Sequence, residues 1–128
     1  MTTDRSYAFN SALVPAKYTR PGAVVRKLVL ERDGYTCVCC GHPVTGQPFM
    51  LLRRLRSGGD SPPNLITVLG TAITGCAERI GSRRDPRDQA NGYIVRAGQD
   101  PELIPVLLYG RIVTWLAPDG QYRSGVPT

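Results

Sequence analysis

The chain has 128 residues, of which 41% are hydrophobic and 20% are charged. This length predicts a single domain built around one modest core. The composition excludes general disorder, and no apolar run is long enough to cross a bilayer. Because the N-terminus also lacks the sustained apolar stretch of a secretory signal, we expect a cytoplasmic protein without a membrane partner.

The net charge of +6 is concentrated in the first two-thirds of the sequence. Residues 1–34 carry six Lys or Arg against three acidic residues, and residues 53–88 carry seven Arg against four. The remaining residues balance at three against three. A basic region of this kind favours a polyanion such as nucleic acid, because phosphate contacts release counterions. An ordinary solvated basic face is the alternative.

The apolar pattern predicts short helices and strands without an internal repeat. In chain order we predict an arm over residues 1–20, a helix over 21–32, a hairpin over 35–44, a strand over 49–55, a loop over 57–63 and an apolar run over 65–69. Helices follow at Gly75–Ser82 and Pro86–Ala90, and strands at 93–95, 107–116 and 122. Asp33 with Gly34 should end the first helix, and Asp119 with Gly120 should form the last turn.

The four cysteines indicate a metal site or the remnant of one. Cys37, Cys39 and Cys40 are crowded into four positions, which does not suit the disulfide framework of a secreted protein. Cys76 is the fourth cysteine and begins the predicted helix after the apolar run. A metal-binding knuckle is therefore favoured.

Three segments resemble the HNH endonuclease family. Residues 31–41 (ERDGYTCVCCG) resemble the opening of that family, in which a helix runs into a zinc knuckle of C-x-x-C type. Residues 61–67 (SPPNLIT) resemble the segment around its central Asn, and residues 74–76 (TGC) resemble the start of its metal-binding helix. The tail over residues 91–122 is similar to the extension found on HNH proteins of actinobacterial phages. The likeness covers roughly residues 21–123.

The resemblance implies an α+β fold with a ββα-metal core, an N-terminal helix and a C-terminal β-rich extension. Residues 21–128 would then form the single HNH-like domain. In that family two strands and a helix hold a divalent cation against the scissile phosphate, and a histidine acts as general base on a water molecule. Imidazole suits both tasks because its nitrogen has a lone pair and its pKa lies near neutrality.

The reactive histidines of that pattern are missing from this sequence. Leu52 and Arg53 stand at two of their positions, and Ala77 stands at another, whereas Asn64 is retained. Leucine has no lone pair, and a guanidinium accepts no hydrogen bond and repels a cation. The one histidine of the chain, His42, lies in the knuckle. We therefore expect a degenerate family member without nuclease activity, in which Asn64 fixes a loop by hydrogen bonding.

The knuckle departs from the family pattern as well, because Leu69 stands where the family has a cysteine. Cys37, Cys40 and Cys76 remain as candidate ligands. A structural zinc ion would need Cys39 or His42 as the fourth ligand. Alternatively, His42 is a turn residue, Leu69 fills the space of the missing thiol, and the hairpin and helix are held by apolar packing around free thiols.

The favoured functional hypothesis is a phage-encoded pseudo-nuclease that binds DNA through a basic groove. Arg53 would offer a bidentate guanidinium near the former cation position. The arginines expected to extend this surface are Arg54, Arg56, Arg79, Arg83, Arg84 and Arg87. The alternative is that these are ordinary surface residues.

Two other functions remain open from the sequence. The protein could bind and modulate a host protein through apolar residues of the tail, most of which we expect to be buried. It could also be an active nuclease with a non-standard centre built from carboxylates. The candidates are Asp60, Glu78, Asp85 and Asp88, whose arginine neighbours make surface ion pairs the default expectation.

Overall fold

The computed structural model describes residues 21–125, which form helices and two small antiparallel sheets. The helices are α1 (Ala23–Arg32), α2 (Gly75–Ser82) and α3 (Pro86–Ala90), with 3-10 turns at Pro62–Asn64 and Pro101–Leu103. The strands are β1 (Phe49–Arg53), β2 (Leu65–Thr71), β3 (Val106–Leu108), β4 (Ile112–Leu116) and β5 (Tyr122–Arg123). The predicted α+β class is confirmed for this part of the chain, while the predicted arm over residues 1–20 lies outside it. No helix within residues 21–125 is long and apolar enough to cross a membrane.

Strands β1 and β2 form an antiparallel pair, and α2 packs against both of them. The register runs from Phe49 opposite Leu69 to Arg53 opposite Leu65. The interior of both strands is buried, which explains why they read as continuous apolar runs rather than as an alternation. The chain reaches α2 through a tight turn in which Gly70 has a φ of 112°. The element order is therefore strand, strand, helix.

Helix α1 ends as predicted, because Asp33 caps it and Gly34 follows with a φ of 64°. The buried Asp33 carboxylate accepts hydrogen bonds from the side chain of Arg32 at 2.8 Å and from the backbone N–H of Thr67 at 3.0 Å. The hydroxyl of Tyr122 donates to the same carboxylate at 2.7 Å. One acidic group thus joins the first helix, the first sheet and the last strand.

The second sheet has the order β3–β4–β5 and corrects one prediction. The strand predicted over residues 107–116 is two strands, because Tyr109 and Gly110 take positive φ values of 57° and 70° and reverse the chain. Leu108 then pairs with Ile112 across a hairpin. The predicted turn at Asp119 and Gly120 is confirmed, and it joins β4 to β5.

Residues 93–95 were predicted as a strand, and this prediction is wrong. Tyr93, Ile94 and Val95 are buried, but their backbone groups do not enter a sheet. The N–H groups of Tyr93 and Ile94 both donate to the carbonyl of Asp88, and that of Val95 donates to the carbonyl of Arg54 at 2.9 Å. A buried irregular segment satisfied by scattered carbonyls carries the same apolar signature as a short strand.

Candidate metal centre and arginine surface

The knuckle is a tight turn that presents two cysteines on one side. Thr36 and Pro43 form an isolated bridge, and inside it the N–H of Cys37 donates to the carbonyl of His42 at 2.9 Å. The N–H of Gly41 returns to the carbonyl of Cys37 at 2.9 Å, with Gly41 at a φ of 81°. A glycine suits this position because L side chains rarely adopt positive φ. The predicted hairpin over residues 35–44 is this turn.

The thiols of Cys37, Cys40 and Cys76 form a three-sulfur cluster at the junction of the knuckle and α2. Their Sγ atoms all lie within 4.8 Å of one another. Zinc–sulfur bonds of about 2.3 Å place tetrahedral thiolates roughly 3.8 Å apart, so small side-chain rotations would bring the three onto one ion. All four cysteines of the chain are free thiols. The three are close enough to hold a metal ion, which fits a structural zinc.

Hydrogen bonds within the cluster divide the thiols into acceptors and donors. The thiol of Cys76, together with backbone N–H groups of Cys40, Leu69 and Cys39, lowers the pKa of Cys37 to about 5 in spite of burial. Donation to Cys37 and Cys39 raises the pKa of Cys76 well above its usual range. Burial raises the pKa of Cys40. A buried thiolate with several N–H donors is the form in which cysteine binds a metal.

The two candidates for a fourth ligand lie outside this group of three. The sulfur of Cys39 accepts a hydrogen bond from Nη2 of Arg79 at 2.9 Å. Contact with the Cys76 thiol and with Arg79 lowers the pKa of Cys39 to about 7. His42 is exposed and contributes its backbone carbonyl to the knuckle. Of the two, Cys39 is the side chain in contact with the cluster.

The three positions at which the resemblance would place histidines lie in the core or in an ion pair. Leu52 and Ala77 are 2% and 0% exposed and pack in one apolar cluster with Cys37. Leu69 is partly buried and packs against the same cluster. The Arg53 guanidinium contacts Asp60, with 2.8 Å between Nε and Oδ1. Leu52, Ala77 and Arg53 therefore offer no lone pair to a metal ion.

Asn64 fixes the loop between β1 and β2, as the sequence predicts. Its Oδ1 accepts from the N–H of Leu55 at 2.7 Å, and its Nδ2 donates to the carbonyls of Leu55 and Gly59 at 2.9 and 2.8 Å. The side chain is buried, so these bonds satisfy it without water. The retained asparagine is therefore a structural residue of the loop.

Arg54 was predicted to contact nucleic acid, and the structure corrects this. Its side chain is fully buried, with an exposed fraction of 0%. The guanidinium donates at 2.6–2.9 Å to backbone carbonyls of four residues: Gly92, Pro63, Pro101 and Ile104. Burial lowers the pKa of Arg54 to about 9, which leaves the group charged at neutral pH. With its donors occupied inside the protein, Arg54 cannot reach a phosphate.

Ion pairs occupy most of the other arginines that were predicted to form the basic surface. The pairs are Arg53 with Asp60 at 2.8 Å, Arg79 with Asp88 at 2.7 Å, Arg84 with Glu78 at 3.6 Å and Arg87 with Asp85 at 2.9 Å. The four candidate carboxylates are thus paired with arginines, as their neighbours in sequence suggested. In the described part of the chain, the cysteine cluster is the group of potential ligands close enough for a metal ion.

Arg56 and Arg83 differ from the paired arginines, because neither forms an ion pair with a carboxylate of residues 21–125. Arg83 is half-buried, and its Nη2 donates to the carbonyl of Arg54 at 2.9 Å. Burial and the nearby charge of Arg56 lower the pKa of Arg83. The two arginines line one cleft together with Arg96, which the sequence analysis missed. Arg96 carried no motif, and only the fold brings it to this place.

No family model, curated protein or solved structure matches the chain.

Proposed function

We propose that this protein is an HNH-like pseudo-nuclease that carries a structural zinc ion and binds DNA without cutting it. The order of elements supports a ββα-metal core, since a cysteine knuckle precedes β1, β2 and α2 in that sequence. The knuckle and the start of α2 supply the three clustered thiols. These features match the parts of the family pattern that the sequence retains.

The loss of nuclease activity is supported by the chemistry of the substituted positions. Leu52 and Ala77 are buried among apolar side chains and offer no lone pair. The Arg53 side chain donates a hydrogen bond to Asp60, so the Asp60 carboxylate is already paired with a cation. A hydrolytic metal site needs ligands with an open coordination position and an activated water. The three thiols instead resemble a closed structural site in residue type.

The observation that carries the DNA-binding proposal is the juxtaposition of Arg56 and Arg83. Two guanidinium groups of like charge lie near enough for one to lower the pKa of the other. No carboxylate of the described residues neutralises either of them, although four neighbouring arginines are paired. Like charges held together in this way repel, and a bound phosphate relieves the repulsion while accepting bidentate hydrogen bonds.

Two measurements on the zinc-loaded protein test this proposal. Fluorescence anisotropy with labelled DNA should show binding that weakens steeply as salt increases, because counterions are released. Incubation of plasmid with magnesium, manganese or nickel should leave the DNA intact. Absence of binding at low salt would overturn the DNA-binding function. Metal-dependent nicking that a chelator stops would overturn the assignment as a pseudo-nuclease.

A second candidate function, binding to a host protein, is favoured by one exposed apolar face of the second sheet. Leu103 and Val113 are 49% and 55% exposed, and Leu107 and Trp115 are partly exposed beside them. Leu107 pairs with Val113, and the indole of Trp115 donates to the carbonyl of Leu103 at 3.3 Å. Val113→Ser should then weaken capture of a host protein from nuclease-treated lysate, whereas capture that disappears with the nuclease treatment itself would indicate DNA-mediated association.

A further inference from the structure

A cleft of about 370 Å³ separates the end of β1 from the irregular segment at residues 94–97. Arg56, Arg83 and Arg96 surround it, and no acidic residue lines it. Its remaining walls are mostly apolar, from Leu55, Ile94, Val95 and Ala97. Its volume lies at the lower end of the range of roughly 300–1,000 Å³ that small-ligand sites occupy. The cleft therefore accepts a unit about the size of one nucleotide.

The walls of this cleft are fixed by the backbone carbonyl of Arg54. That carbonyl accepts from the N–H of Val95 at 2.9 Å and from Nη2 of Arg83 at 2.9 Å. The Arg54 side chain is itself locked by buried hydrogen bonds. The two walls and the Arg83 side chain are therefore held in place before a ligand binds. This lowers the entropic cost of ordering them on binding.

Arg83 combines two features that point to a ligand. It occupies the C-cap of α2 with a φ of 58°, a conformation that glycine adopts more readily than arginine. Within residues 21–125 its guanidinium donates through Nη2, to the carbonyls of Arg53 and Arg54. The donors on Nε and Nη1 remain for an anion, because a guanidinium carries five N–H groups. The Arg83 guanidinium is thus held in place through Nη2, and its Nε and Nη1 can donate to a phosphate.

The apolar residues of the cleft, called its floor below, favour single-stranded over double-stranded nucleic acid. A duplex hides its bases in stacked pairs, so it could bring only phosphates to the arginine rim and would leave Leu55, Ile94 and Ala97 uncovered. A single strand can place an unstacked base or its sugar on this floor, with the flat guanidinium of Arg56 or Arg96 against the base. The combination of apolar residues and arginines in the lining thus favours a single strand.

We infer that the cleft between residues 55–57 and 94–97 is a subsite for single-stranded DNA. One phosphate binds to Arg56 and Arg83, and the adjoining nucleoside lies on the apolar floor beside Arg96. This inference rests on the proposed DNA-binding function. It specifies where the DNA binds and that the bound DNA is single-stranded. Arg56, Arg83 and Arg96 have no carboxylate partner among residues 21–125, so their charges remain available to a phosphate, unlike those of Arg53, Arg79, Arg84 and Arg87.

The test uses fluorescence anisotropy with a labelled oligothymidine strand and a labelled duplex of equal length, over a series of salt concentrations. The variants are Arg56→Ala and Arg96→Ala, whose side chains are exposed, so their removal should leave the fold intact. Arg111→Ala is the matched control, because it removes one exposed positive charge outside the cleft. Ala97→Asp adds a negative charge to the floor without removing a donor.

We expect the wild type to bind the strand more tightly than the duplex. Arg56→Ala and Arg96→Ala should each weaken binding to the strand by about tenfold and reduce the salt slope by about 0.7. Ala97→Asp should have a similar or larger effect, and Arg111→Ala should change affinity by less than about twofold.

Three results would overturn this inference. Cleft variants that bind as tightly as Arg111→Ala would place the DNA site elsewhere and leave the DNA-binding function standing. A duplex that binds more tightly than the strand would refute the substrate form alone. A wild type that binds neither probe at low salt would refute both the subsite and the proposed function.

Discussion

Two polar centres join distant parts of this chain, and they differ in what completes them. The three-thiol cluster joins the knuckle to the start of α2. The Arg54 guanidinium joins the end of β1 to segments more than thirty residues further along, through backbone carbonyls. Every partner of Arg54 belongs to the chain itself. The thiols offer three of the four ligands that a structural zinc ion prefers, so their contribution to stability depends on the ion.

This difference shows what the stability of each centre depends on. A buried cation without a carboxylate is stable when carbonyl dipoles satisfy its donors, and its removal leaves those dipoles unpaired. A thiol cluster contributes according to the concentration of its metal. Arg54 should therefore stabilise the protein under all conditions near neutral pH, and the cluster only when zinc is present.

Removal of the Arg54 side chain should have the largest effect. We expect Arg54→Met to lower the free energy of unfolding by about 3–5 kcal/mol, because four carbonyls lose a charged donor inside the protein. Urea denaturation of the variant and of wild type, both with zinc, measures this. Arg84→Ala is the control, since its side chain is 79% exposed and its ion pair should contribute less than about 1 kcal/mol. If both variants lose the same free energy of unfolding, the buried Arg54 guanidinium contributes no more to stability than a surface ion pair.

Removal of zinc should have the next largest effect. Zinc at about 100 times its dissociation constant should add about 2.7 kcal/mol to the stability of wild type, which a chelator would reverse in a thermal melt. Cys76→Ser should abolish this difference, because it removes one of three clustered ligands. Arg111→Ala is the control, because it changes an exposed residue outside the thiol cluster and should retain the zinc effect. If zinc does not change the melting temperature of wild type, the thiols are apolar core residues.

Lower pH should reduce the zinc effect and leave the Arg54 centre unchanged. The pKa values of Cys76 and Cys40 are raised, so both thiols must release protons when they bind a metal. Two released protons should therefore lower zinc affinity by about a hundredfold for each pH unit from 8 to 6. Cys37, with a pKa of about 5, is already a thiolate in this range and adds little to the dependence. Calorimetric titration at several pH values measures the affinity, and a constant affinity would contradict the assignment.

Truncation of Asn64 should have the smallest effect of the four. Asn64→Ala removes the amide that joins Leu55 to Gly59, and we expect a loss of about 1–3 kcal/mol because the carbonyls and N–H of the loop become partly unsatisfied. Asn64→Asp keeps the acceptor for the Leu55 N–H and loses the amide donor. Its free energy of unfolding should lie between those of wild type and Asn64→Ala, unless burial of the new charge costs more than the retained hydrogen bond contributes. Chemical denaturation gives both values, and a loss as large as that of Arg54→Met would reverse the ranking.

Local signals predicted the elements whose ends are set by nearby residues. The capping of α1 at Asp33, the bounds of Gly75–Ser82 and Pro86–Ala90, and the turn at Gly120 all follow from helix, proline and glycine preferences within a few positions. The clustering of Cys37, Cys40 and Cys76 was expected from the resemblance to the HNH family, because no local spacing places Cys76 beside the other two.

Contacts between distant segments could not be predicted in the same way. Arg53, Arg54 and Arg56 look alike in sequence, yet one is paired, one is buried and one is exposed. Their environments depend on carbonyls and carboxylates that the fold brings from elsewhere, such as the carbonyl of Ile104 fifty positions away. Arg96 was missed for the same reason.

The hydrogen bond from Tyr122 to Asp33 has a consequence for synthesis of the protein. Its two residues lie 89 positions apart in the sequence. The hydrogen bond from Arg54 to the carbonyl of Ile104 spans 50 positions. During synthesis, Arg54 and Asp33 therefore lack these particular partners until residues 104 and 122 have left the ribosome. Contacts at such large sequence separation slow folding, so the native arrangement should form only after residue 122 has emerged.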